Sequence, residues 1–277
     1  MTDPRKDAQP AFPSFGQAAV IVMVLFLLES IALILVSAAL EPGADQISAA
    51  GSIALVLANG ALLTLILHHK QMGYGALFHA SPSSVRATLG LLLAPVALLV
   101  PALVLANTTL GALLARLFPP TRYQLEMFAQ LTAPDLMQII TVCLLAPFLE
   151  EMLFRGVMLR SFLRQYTRKQ ALLGSALLFG AAHMNLYQFA GGVLIGLVLG
   201  WLYDRSRSLW PCIALHALYN GAILLLVRAY DNDDSALAAA FSLPVWVLAF
   251  LAACAGAALL LRMLGGRRGI EGSKGRD

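Results

Sequence analysis

Apolar residues fall in long runs separated by short polar stretches. A bilayer core of about 30 Å is crossed by about 20 apolar residues of helix. The long runs are Ala18–Leu40, Ile47–Leu67, a stretch from Ala87 to about Leu117, Leu136–Met158, Leu209–Val227 and Leu243–Leu264. Two shorter runs, Ala171–Leu186 and Phe189–Tyr203, lie between the fourth and fifth of these. They read as two helices buried by neighbours or as a hairpin that dips in and returns. Either way the later segments keep their sides, and the pattern predicts eight helices. The third stretch holds Pro95, Pro101 and Asn107, so a kink or break is expected there. Gly191, Gly192, Gly196 and Gly200 suit close helix packing in lipid.

Composition agrees with the pattern. Of 277 residues, 59% are hydrophobic and 12% charged, and the mean hydropathy is +0.77. So few charges cannot cover a water-soluble surface, and disordered, collagen-like and disulfide-rich classes do not fit. The expected fold is an all-α polytopic integral membrane protein. Residues 1–16 form a cytoplasmic tail, 17–264 one transmembrane helical domain, and 265–277 a basic cytoplasmic tail.

Placing the charges changes the meaning of the net +4. Arg5, Lys6, Lys70, Arg86, Arg160, Arg164, Arg168, Lys169, Arg205, Arg207, Arg262, Arg267, Arg268, Lys274 and Arg276 fall on one predicted side. The other side holds Arg116, Arg122 and Arg228, with acids at Asp231, Asp233 and Asp234. The positive-inside rule puts both termini in the cytoplasm, and the charge is no nucleic-acid footprint. The first run is too long for a cleavable signal and contains Glu29. Cys143, Cys212 and Cys254 show no metal-type spacing and read as small buried hydrophobes.

Ionisable groups inside a span are costly and mark function by default. Glu150, Glu151 and Arg155 stand among large hydrophobes in the fourth run. Glu151 and Arg155, at i and i+4, can pair on one face. Glu150 points about 100° away around the helix and is left spare, as suits a general base. The bland alternative is a helix end whose charges snorkel to headgroups. Two further helices argue against it, because His183 follows Phe179 by four residues and Asn220 follows His216 by four. Counted from their cytoplasmic ends, Glu150, His183 and His216 lie at depths of roughly 10–20 Å, compatible with one cavity. His68, His69 and His79 read as interfacial residues, and Glu29 and Asn59 as bundle-facing polar groups bonded between helices, with a substrate contact as the alternative.

In that order and setting, Glu150-Glu151-x-x-x-Arg155, Phe179-x-x-x-His183 and His216-x-x-x-Asn220 resemble the CPBP family. This is the group of CAAX-type prenyl endopeptidases and their bacterial relatives, sometimes labelled Abi. The stretch Gly196–Pro211 resembles the family too, and the resemblance covers about residues 136–226. It implies an intramembrane endopeptidase of the glutamic type, in which Glu150 activates water and His183 and His216 orient it or assist proton transfer. Asn220 donates to the oxyanion, while Glu151 and Arg155 hold the base in place. It implies no cofactor, and a membrane-associated or lipidated peptide as substrate. The expected location is a bacterial inner membrane.

The same residues admit three other readings. A zinc site from two His and one Glu lacks HExxH and would draw on three helices. A Cys212–His216 nucleophile needs a thiolate that lipid does not favour. An inactive scaffold, immunity protein or ion-binding protein would use the same polar residues differently, although no repeated halves of the transporter kind are seen.

Overall fold

The computed structural model describes residues 11–40, 44–131, 135–230 and 241–265. Both expected tails lie mainly outside these residues, as do the acids Asp231, Asp233 and Asp234. The described chain is helical, and its one β-bridge, His79 with Ser208, is isolated. Its helices are α1 (Phe15–Ala39), α2 (Ala44–His69), α3 (Gly75–Phe78), α4 (Val85–Ala97), α5 (Val100–Leu117) and α6 (Arg122–Leu131). They continue with α7 (Leu136–Gln165), α8 (Arg168–Ala181), α9 (Leu186–Ser206), α10 (Trp210–Ala229) and α11 (Leu243–Gly265).

Seven of these helices are long and apolar enough to cross a membrane: α1, α2 from Ser48, α5, α7, α9, α10 and α11. With the shorter α8 the arrangement is close to the eight expected. The third stretch breaks as anticipated. Pro95 lies inside α4, which ends at Ala97, and α5 restarts at Val100 with Pro101 in its first turn, where no amide hydrogen is needed.

The α8–α9 pair departs from the expected boundaries. The run written as Phe189–Tyr203 is a full helix of 21 residues, Leu186–Ser206. Its polar ends are secured by local chemistry that hydropathy does not register. Asn185 caps the start by accepting from the amides of Tyr187 and Gln188. Near the other end, Asp204 pairs with Arg168 and Arg207.

Helix starts follow the same logic elsewhere. Ser14 with Gln17 and Thr167 with Gln170 form capping boxes for α1 and α8. Asp135 caps α7, and the Ser48 hydroxyl beside it holds its carboxyl below the usual carboxylate range.

Segments expected on one side do gather at one end. Phe15 stacks on Tyr166, and Gln165 donates to the Pro13 carbonyl. Arg160 reaches the Ala76 carbonyl, and His79 meets Ser208. The start of α1 and the ends of α7 and α9 therefore share an end with the loop after α2.

Helix α7 runs through the middle of the bundle, touching α2, α3, α8, α9 and α10. Small residues let α8 and α9 close together. A Cβ on Gly192 would lie 2.9 Å from the Gly180 Cα, and one on Gly180 would lie 2.6 Å from the Phe189 carbonyl oxygen. The expected glycine packing is present. The cysteines are more varied than expected: Cys212 is buried, Cys143 is half-buried, and Cys254 is exposed on α11.

Candidate active site

Two widened, π-helical turns interrupt α7, at Thr141–Leu145 and Met152–Leu159. The first has a covalent cause. Ala146 N–H reaches back five residues to the Thr141 carbonyl, and Pro147, next in line, has no N–H to give. The Val142 carbonyl is thereby left for another donor, and the Asn220 amide supplies it at 2.9 Å.

Glu150 and Glu151 lie between the two wide turns and face different surroundings. Glu151 and Arg155 have fully buried side chains, paired at 2.7 Å. Arg155 also donates to the Gly196 carbonyl at 3.2 Å, and its guanidinium lies 4.4 Å from the centre of the Phe179 ring. The same Glu151 oxygen meets His216 Nδ1 at 2.9 Å. That contact orients the imidazole so that Nε2 lies 3.7 Å from Glu150 Oε2. The first carboxylate is thus tied down by a cation and a histidine. The second keeps an open side, with 23% of its side chain exposed.

Phe179 spaces the two histidines. Its ring meets His183 edge-on at 5.3 Å and His216 at 5.5 Å. His183 was expected within a helix, four residues after Phe179. Instead α8 ends at Ala181, and His183 sits in the tight turn to α9, where Met184 has φ 50°. The turn is forced because Asn185 must leave the helical path to cap α9. It still brings His183 Nδ1 to 3.0 Å from the Phe179 carbonyl oxygen and turns the ring into a cavity.

That cavity, of about 170 Å³, is lined by Glu150 and His183 together with Glu29 and Asn59. Val22, Leu25, Phe26, Leu55, Phe154 and Ala182 form its apolar walls. Asn59 donates to Glu29 Oε1 at 2.7 Å, the interhelical bond expected from the sequence. Their place in the same cavity as Glu150 was not foreseen. The signal was present, since both are polar residues near the middle of apolar spans. Their convergence with α7 is a tertiary fact.

The structure therefore brings together Glu150, Glu151, Arg155, Phe179 and His216, and puts His183 in Glu150's cavity. Asn220 stands apart, one turn beyond His216 and bonded to Val142. Cys212 is no part of the site; its sulfur is buried against the Leu199 and Ser208 carbonyls. Among the described residues, no three His, Cys, Asp or Glu side chains are arranged to hold a metal ion. Chemically, an open carboxylate that faces one imidazole and shares a mostly apolar cavity with another can take a proton from water and pass it on.

Residues 132–222 match the family model of the type II CAAX prenyl endopeptidase, Rce1-like. The match covers about a third of the chain. The matched segment carries all three motifs read from the sequence. An uncharacterized 24.3 kDa protein of Escherichia coli is 37% identical over 113 residues, covering 39% of this chain and 51% of that protein. YdiL of Bacillus subtilis (strain 168), whose name makes it a candidate membrane peptidase, is 26% identical over 103 residues, covering 36% of this chain and 42% of its own. The chain thus spans about half the length of these curated relatives. No solved structure matches. Both the motif resemblance and the all-α membrane architecture are borne out.

Proposed function

We propose that this protein is an intramembrane endopeptidase of the glutamic type. Glu150 takes a proton from water, and the resulting hydroxide attacks the carbonyl carbon of the scissile peptide bond. As the tetrahedral intermediate collapses, the C–N bond breaks and the proton passes to the departing amine. The supporting observation is the division of labour between adjacent carboxylates: Glu151 is buried and held through one oxygen by Arg155 and His216, while Glu150 opens to the cavity that His183 shares.

His216 and His183 orient the water and relay its proton. Phe179 fixes the space between their rings, and Arg155 holds Glu151. Asn220 reaches an oxyanion by exchanging its Val142 carbonyl for substrate. The family match supports a membrane protease, and its name points to lipidated peptide ends; the substrate here is a membrane-associated or lipidated peptide. Both termini face the cytoplasm of a bacterial inner membrane.

The test is cleavage of lipidated and membrane-spanning peptides by purified protein in liposomes. Wild type cleaves, Glu150→Gln and His183→Ala do not, and strong chelation changes nothing. Full activity in either variant contradicts the mechanism, as does a loss on chelation that zinc restores.

A further inference from the structure

Glu29 and Asn59 lie on α1 and α2, outside the segment that matches the family, yet they complete the cavity of Glu150. We propose that this pair recognises a cationic amine of the substrate, a Lys-type ammonium carried by the membrane-embedded peptide beside the bond cleaved. The inference rests on the proposed peptidase reading and gives its cavity a selectivity.

Three observations carry it. Asn59 Nδ2 is committed twice, to the Leu55 carbonyl at 3.0 Å and to Glu29 Oε1 at 2.7 Å, so the amide orientation is set and the carboxylate is held. What the pair then offers a ligand is acceptors. Asn59 Oδ1 has no hydrogen-bond partner in a residue only 2% exposed, and the other Glu29 oxygen carries no hydrogen bond. Finally, two carboxylates line this cavity and no Lys or Arg does among the described residues. Joining α1 to α2 needs no charge, and a carboxylate near the middle of a 25-residue apolar helix is costly. A positive group entering from the substrate offsets that cost and satisfies both open acceptors.

The experiment measures binding in the Glu150→Gln background, so that cleavage does not intervene. N-palmitoylated octapeptides with one Lys moved through successive positions are compared with their norleucine counterparts in neutral phosphatidylcholine liposomes. At one position the Lys peptide should bind about tenfold more tightly than norleucine. That preference should vanish with Glu29→Gln, which keeps a carbonyl for Asn59, and return in part with Glu29→Asp. Equal binding of Lys and norleucine peptides at every position overturns the proposal, and so does a preference that survives Glu29→Gln. Melting temperatures of both Glu29 variants identify any loss due to misfolding, and the Asp variant then decides. If the Glu150→Gln protein still cleaves the peptides, the general-base reading fails separately, while the binding comparison still decides this proposal.

Discussion

His216 bonds Glu151 through Nδ1 at 2.9 Å and faces Glu150 through Nε2 at 3.7 Å, so one imidazole joins the two adjacent carboxylates. It is held by one and presented to the other. Around it, Arg155 balances Glu151 in a setting with no exposed side-chain surface for either.

Removing one partner of that pair leaves a buried charge uncompensated. Glu151→Gln should destabilise the protein by about 3–5 kcal/mol, because Arg155 keeps only uncharged partners, two carbonyl-type oxygens and an aromatic face. Activity should fall with it, since His216 loses its anchor. Thermal unfolding in detergent checks this, and an unchanged midpoint contradicts the pairing.

Asn220 has a structural duty apart from any contact with substrate. Asn220→Ala should leave the Val142 carbonyl without its donor and cost about 1–3 kcal/mol. Asn220→Asp should be worse, because it sets one acceptor against another. Unfolding midpoints that rank wild type above Ala above Asp support this account; equal midpoints refute it.

The α8–α9 contact sets where His183 stands. Gly192→Ala should push α9 away from the Gly180 backbone, with an overpacking cost of about 1–3 kcal/mol. Gly51→Ala, where a Cβ meets nothing within 4 Å, is the matched control and should leave stability unchanged. Comparable losses in both variants would exclude close packing as the reason.

Much of this was legible in the sequence for identifiable reasons. Lipid leaves little choice of backbone, so the long apolar runs became helices, and Pro95 and Pro101 marked a break. The spare and paired carboxylates followed from helical spacing alone, because Glu150, Glu151 and Arg155 are neighbours along the chain. What stayed hidden depends on groups that meet only in three dimensions. Hydropathy undervalued α9 because its ends are held by a cap and an ion pair. The i, i+4 spacing of Phe179 and His183 suggested a continuing helix, although Asn185 ends it. Asn220's bond to Val142 exists because Pro147 disrupts a turn on another helix. Glu29 and Asn59 read as polar groups bonded between helices, but that they bond each other and share a cavity with Glu150 needed the fold.

The central claim is that Glu150 activates water to cut peptides at the membrane. Its most direct measurement compares membrane peptides and protein termini in cells carrying wild-type protein and cells carrying Glu150→Gln at equal expression. New termini that appear with wild type and are absent with Glu150→Gln are the predicted result. Identical termini in the two strains, together with wild-type cleavage products that persist in Glu150→Gln cells, would contradict it.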